Sequence, residues 1–287
     1  MFCYLMKICH KKQELRHVLD DIKRKNQTIG FVPTMGALHK GHLSLIERGF
    51  EENSCMVVSI FVNPTQFDNT TDLEKYPRNL ERDLDILKEF SDDLIVYAPS
   101  ADDIYGDVIQ SEHFDFGGLE HQMEGKFRNG HFNGVGTIVK QLLEIVTPDK
   151  AYFGKKDYQQ LRIIEKLVEK FQLPVEIIGC EIFRETDGLA MSSRNERLTP
   201  AARENAPFIY KILKEVKARF GTENAPEITE WVYKQFEHQE LMTVEYFTIA
   251  DEETLQPLQE KEELKNYRAF IAVFAGDIRL IDNIALN

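Results

Sequence analysis

Apolar positions along the first two thirds of the chain follow two alternating rhythms. Leu15, Val18, Leu19 and Ile22 fall at helical spacing between Gln13 and Asn26, and the short apolar run Ile29–Val32 follows as a strand. Cys55–Val62 is a continuous β-rich run bounded by polar residues, the pattern of a strand covered on both faces of a parallel sheet. Leu80, Leu84 and Leu87 predict a helix, Leu94–Ala98 a strand, and Gly134–Val146 another helix. Ala151–Phe153 reads as a strand, Leu161, Ile164, Leu167 and Val168 line the next helix, and Val175–Ile178 closes the series. Strands alternating with helices predict βαβ units, hence an α/β fold with a Rossmann-like parallel sheet covered by helices on both faces.

After Glu181 the rhythm changes. Thr199-Pro200 is an N-cap and first-turn pair for one long helix running to about Arg219, and Pro226 and Trp231 sit in a second. Val244–Ala250, Ala269–Ala275 and Arg279–Asn283 read as strands of an antiparallel sheet. The expected division is a Rossmann-like domain over residues 1–182 and a smaller C-terminal α+β lid domain over residues 183–287.

Composition narrows the classes. The chain has 287 residues, 43% hydrophobic and 29% charged, as in ordinary globular proteins. No run reaches the length of a membrane span, and Met1–Met6 is too short for a signal core, so the expected location is cytoplasmic. A net charge of −13 argues against nucleic acid as a partner, since such binding rests on Lys and Arg neutralising phosphates. It leaves room for a small anion pocket built from a few placed residues. Cys3, Cys9, Cys55 and Cys180 form no Cys-x-x-Cys pair and read as reduced packing residues.

Ligands of open parallel sheets bind beyond the carboxyl ends of the strands, so the polar residues there are the candidates for chemistry. Phe31–Ile46 reads as strand, glycine turn (Gly36, Gly41) and helix start, with His39 and His42 three apart on one face of the first turn. A helix N-terminus with two ring donors suits the phosphates of a nucleotide. The pair also fits a metal site or an ordinary helix surface; zinc, however, wants a third and fourth ligand at short spacing, and none is adjacent. The turn is neither the Gly-x-Gly-x-x-Gly fingerprint nor a P-loop. The next strand ends deliver Asn63 and Gln66, then Gly154-Lys-Lys-Asp157 with Gln159 and Gln160.

A second phosphate-type element follows at Asp187–Arg197, where Gly188 supplies a turn, Ser192 and Ser193 offer hydroxyls, and Arg194 offers a planar fork. The alternative there is a solvent loop with an N-cap serine. The glycine-rich stretch Glu124–Val135 carries Arg128 and His131, suited to ordering the loop or touching a ligand.

Taken together, Pro33–His42, Phe61–Phe67, Tyr76-Pro-Arg78, Arg128-Asn-Gly-His131, Phe153–Gln160, Met191-Ser-Ser-Arg194 and Arg279-Leu-Ile-Asp-Asn283 resemble the pantothenate synthetase (pantoate–β-alanine ligase) family nearly end to end. His-x-x-His and Met-Ser-Ser-Arg are similar to the paired signatures of class I aminoacyl-tRNA synthetases and related nucleotidylyltransferases. The resemblance implies an AMP-forming ligase that makes an amide bond. Pantoate attacks the α-phosphate of ATP to give pantoyl adenylate and diphosphate, and β-alanine then displaces AMP.

By that resemblance Met35, Gly36, Ala37 and Leu38, with His39, Lys40, Gly41 and His42, hold ATP, and His42 is the proton donor. His39, Lys156 and Arg194 join it in catalysis. Gly154, Lys155, Lys156 and Asp157 hold the nucleotide, Phe183 lies near the adenine, and Met191, Ser192, Ser193 and Arg194 close on the triphosphate. Gln66 and Gln160 bind pantoate, and Gln66 also faces β-alanine. Magnesium bridges phosphate oxygens, with Asp83 a candidate ligand, and the protein is expected to be a homodimer that binds neither nucleic acid nor membrane. Asn129 and Phe183 depart from the residues expected at their positions, and the family pattern would begin at Met6-Lys-Ile8, leaving Met1–Leu5 as an extension. The competing reading is a nucleotidylyltransferase acting on a phosphorylated small alcohol, which explains the histidines but leaves Gln66, Gln160 and Phe153–Asp157 without a role.

Overall fold

The computed structural model describes residues 6–67, 73, 76 and 78–287; Met1–Leu5 and Pro77 of the Tyr76-Pro-Arg78 motif lie outside them. The chain divides into two compact units. One comprises residues up to Lys155 together with Gln160–Glu181, and the other Lys156–Gln159 together with Ile182–Asn287. Among the described residues no helix is long and apolar enough to cross a membrane.

The first unit is built on a six-stranded parallel sheet of β1 (Lys7–Cys9), β2 (Ile29–Thr34), β3 (Cys55–Ile60), β4 (Leu94–Tyr97), β5 (Lys150–Gly154) and β6 (Glu176–Cys180). Their order across the sheet is β1-β4-β3-β2-β5-β6. From β2 the chain steps outward through β3 to β4, then returns to the other side of β2 as β5. That reversal is the topological switch point, where ligands of such sheets bind. β2 pairs with β3 along Ile29–Thr34 but with β5 only at Gly30 and Phe31. Pro33, which has no N–H to donate, therefore sits where β5 has already left the ladder.

Val32, Ile46, Met56, Val58, Leu87, Val96 and Tyr152 are fully shielded and pack the sheet against its helices. The helix His131–Val146 is buried nearly all round. A Cβ on Gly134 would stand 2.2 Å from the Thr65 carbonyl oxygen, so only glycine lets this helix close on the turn after β3. The helix starts at His131, three residues before the expected Gly134, because Gly130 at φ +73° turns the chain into it. Most of the Glu124–Gly130 stretch read as loop is a short helix, Met123–Phe127.

In the second unit β7 (Met242–Asp251), β8 (Tyr267–Ala275) and β9 (Ile278–Ala285) form an antiparallel sheet in that order. Helices Phe208–Arg219 and Ala225–Phe236 pack on it through Ile212, Leu213, Val216, Ile228 and Val232. The single helix expected from Pro200 to Arg219 is two, Pro200–Asn205 and Phe208–Arg219. Pro207 breaks it: its ring would collide with the carbonyl four residues back, and it has no amide to continue the ladder.

Candidate active site

β2 ends at Thr34, whose hydroxyl donates to the Ser59 carbonyl at 2.7 Å and accepts from Gly36 N–H at 3.2 Å. The chain then takes two left-handed residues in succession, Gly36 at φ +81° and Ala37 at φ +50°. The second is strained for a residue with a Cβ. Asp83, on the helix Leu80–Phe90, holds this turn: its Oδ2 accepts from Ala37 N–H at 3.0 Å and its Oδ1 from Leu38 N–H at 2.7 Å. Burial pushes the Asp83 carboxyl above its ordinary value, and these two amides pull it part of the way back. Both amides are thus engaged by the protein itself. Through these bonds Ala37 and Leu38 shape the turn.

Asp83 is only 2% exposed, and among the described residues no group of three His, Cys, Asp or Glu side chains converges as a metal site. The carboxylate considered as a magnesium ligand clamps the histidine turn through both of its oxygens.

The helix Lys40–Glu52 begins directly after this turn, with His39 as its N-cap. The His39 and His42 rings stack with centroids 4.0 Å apart and 27° between planes. His39 N–H donates to His42 Nδ1 at 3.3 Å. Nδ1 is the acceptor, so the neutral His42 ring carries its proton on Nε2. The two imidazoles stand at the positive end of the helix dipole.

The turn Pro64–Gln66 after β3 supplies a second cluster. Asn63 Nδ2 donates to Gln66 Oε1 at 3.2 Å and to the Gly134 carbonyl at 3.1 Å. Tyr105 Oη donates to Asn63 Oδ1 at 2.5 Å, which fixes the amide's orientation. Gln66 Nε2 lies 2.7 Å from Met35 Sδ, so the β2 and β3 ends meet. His131 Nδ1 contacts the Gln66 carbonyl at 2.8 Å, and Arg128 Nη1 contacts His131 Nε2 at 3.1 Å. Arginine only donates, so Nε2 accepts, and Nδ1–H donates to Gln66. Arg128 and His131 thereby brace the Gln66 backbone. Gln160 lies in the first turn of the helix Tyr158–Phe171, half-buried. Gly154 ends β5 and Lys155 follows it, paired with Glu181.

In the second unit Lys156 Nζ lies 3.6 Å from Asp157 Oδ2, with Lys156 largely buried and Asp157 exposed. Met191 N–H donates to the Phe183 carbonyl at 3.0 Å, and Arg184 bridges Ala190, so the loop read at Asp187–Arg197 begins as a small hairpin. The Phe183 side chain is exposed. Ser192 caps the 3-10 helix Ser193–Arg197 by accepting from Arg194 N–H at 3.3 Å. Arg203 holds the hairpin through Glu185 at 2.6 Å and Asp187 at 2.7 Å.

The family model for pantoate-beta-alanine ligase matches residues 7–285. The chain belongs to the pantoate–beta-alanine ligase family. A pantothenate synthetase of Christiangramia forsetii is 56% identical over 98% of this chain and 100% of its own length, and one of Flavobacterium psychrophilum is 54% identical over the same shares. The crystal structure of pantothenate synthetase from Thermus thermophilus superposes with a TM-score of 0.89 at 38% identity, covering 98% of this chain and 99% of that one. The pantoate-beta-alanine ligase of Francisella tularensis, complexed with beta-gamma ATP and beta-alanine, gives 0.79 at 37% identity, covering 98% of each chain. Within this family the parallel sheet and the separate three-stranded sheet are the expected architecture.

Proposed function

We propose that the protein joins pantoate to β-alanine at the expense of ATP, in two steps. A pantoate carboxylate oxygen attacks the α-phosphorus, the bond to the β-phosphate breaks, and diphosphate leaves with pantoyl adenylate remaining. The β-alanine amine then attacks the acyl carbon, the acyl–phosphate bond breaks, AMP leaves, and the amine proton passes to solvent. The observation that carries this reading is the His39–His42 stack at a helix start on the switch point of the sheet, with His42 Nε2–H as donor. Such a donor stabilises charge as it develops on phosphate oxygens.

On the first unit, residues Met35–His42 and Gly154-Lys155 receive ATP. Gln66 and Gln160 bind pantoate, and Gln66 also faces β-alanine. Gln66 suits this: Asn63 fixes its oxygen, while among the described residues its Nε2 meets a thioether, a weak acceptor that a carboxylate readily replaces. On the second unit, Lys156 and Ser192–Arg194 serve the phosphates, Asp157 the ribose, and Phe183 the adenine. Magnesium enters with ATP. The protein acts in the cytoplasm as a homodimer, as the family resemblance suggests. A nucleotidylyltransferase acting on a phosphorylated alcohol gains nothing from Gln66 or its bracing by Asn63 and His131.

Exchange of labelled diphosphate into ATP tests the reading. It should require pantoate and magnesium but proceed without β-alanine. Exchange that appears only when β-alanine is added would replace the adenylate by another intermediate.

A further inference from the structure

The motif Arg279-Leu-Ile-Asp-Asn283 lies on β9 and takes no part in the chemistry above. Its last two residues are almost completely buried, Asp282 at 4% and Asn283 at 1%, yet neither is apolar. Buried polar groups persist where they are bonded, so their partners show what they do. Asn283 Nδ2 donates to the Lys156 main-chain carbonyl at 2.9 Å. Arg268 Nη1 donates to Asn283 Oδ1 at 2.6 Å. Arginine has no acceptor, so the amide cannot be flipped, and its NH2 must face Lys156. Arg268 is itself fixed by Glu252 at 2.9 Å and lies 4.2 Å over the Tyr158 ring, two residues beyond Lys156. The neighbouring Asp282 takes a bidentate bond from Arg184 at 2.7 and 2.9 Å, and Arg184 also donates to the Gly188 carbonyl at 3.1 Å. One pair of adjacent β9 residues therefore anchors the Lys156 turn and the hairpin that leads to Ser192–Arg194, all within the second unit.

We propose that Asn283 is a positioning residue for Lys156: by holding the Lys156 carbonyl it sets where that lysine delivers its charge. The proposal rests on the reading that Lys156 serves the triphosphate. Four residues after β5, Lys156–Gln159, group with the second unit rather than with the strand they follow, and the Asn283 and Arg268 contacts supply the physical reason. Asp282 secures the other phosphate element from the same strand, so the two elements share one anchor.

Asn283→Asp tests this with little change in shape. It keeps an oxygen for Arg268 but sets a carboxylate oxygen against the Lys156 carbonyl, so the turn must move. Misplacement of a catalytic group by on the order of 1 Å costs about a hundredfold in rate. We expect the turnover of ATP–diphosphate exchange to fall about tenfold to a hundredfold and the KM for ATP to rise, with the KM for pantoate unchanged. Asn283→Ser, uncharged and too short to reach, should act in the same direction. Because Asn283 works through Lys156, the double variant Lys156→Ala/Asn283→Asp should be no slower than Lys156→Ala alone. Undiminished exchange in Lys156→Ala overturns the role given to the lysine itself. Impaired Lys156→Ala with full activity in both Asn283 variants overturns the positioning role alone. Additive losses in the double variant, or loss of the far-UV spectrum in both Asn283 variants, would show that Asn283 serves the fold, and would overturn it too.

Discussion

Asp83→Asn separates two roles for the buried carboxylate beneath the histidine turn. In the native turn each carboxylate oxygen accepts one backbone amide, from Ala37 at 3.0 Å and from Leu38 at 2.7 Å. Asparagine offers one oxygen, and its NH2 would face the other N–H. A hydrogen bond to a charged group, about 1.5–3 kcal/mol, is lost, and a buried amide is left without an acceptor. The left-handed Ala37, strained by about 1–2 kcal/mol, also loses part of its counterweight. A loss of about 2–4 kcal/mol follows, which for a unit of this size lowers Tm by roughly 4–16 °C. The turn carries His39 and His42, so the KM for ATP in diphosphate exchange should rise in the same protein. Thermal melts and exchange kinetics across a magnesium titration measure both effects. A magnesium ligand would behave differently: the magnesium needed for half-maximal rate would rise while Tm held. An Asn variant with native Tm and native KM for ATP refutes the clamp. Gly36 gives a companion, since a Cβ there would stand 2.7 Å from Asp83 Oδ2; Gly36→Ala should disturb the same turn from the other side.

Three further outcomes are expected. His42→Ala should remain folded and lose roughly a hundredfold to a thousandfold in kcat, the usual effect of removing one preorganised donor; near-native turnover in a folded variant would sink the role given to its Nε2–H. Gly134→Ala should destabilise by about 1–3 kcal/mol although alanine favours helices, because its Cβ would meet the Thr65 carbonyl and the Gln66 backbone. Its KM for pantoate should rise; urea melts with unchanged midpoint would contradict the close approach. Burial pushes the Cys55 and Cys180 thiols up to about 11, so at pH 8 iodoacetamide should label each about a hundredfold more slowly than an ordinary thiol. Labelling should quicken about tenfold per pH unit until that value, read site by site by mass spectrometry. Ready labelling at pH 8 would show that these positions are open to water.

Periodicity located the strands of both sheets because each is either continuously apolar, as Cys55–Ile60, or rich in β-formers, as Tyr267–Ala275. It passed over β1, whose three residues are too few to show a period, and it ran one helix through Pro207 because the apolar spacing continues on the far side. The histidine site was legible for a local reason: strand, turn and helix start are adjacent in the chain, so spacing alone brings His39 and His42 to one turn. The residues that hold the candidate side chains of each unit in place were not legible in the same way. Asp83 reaches its turn from 45 residues away, and Asn283 reaches Lys156 across 127. Each is a buried polar residue, which in sequence looks like a helix-surface acid or a polar break in a strand. Only the fold shows that what they bond is backbone. Main-chain amides and carbonyls are the same at every residue, so a bond to them leaves no mark on the sequence of the partner. Side chains that meet substrate can be found by their type; those that aim them have to be found by where their hydrogen bonds end.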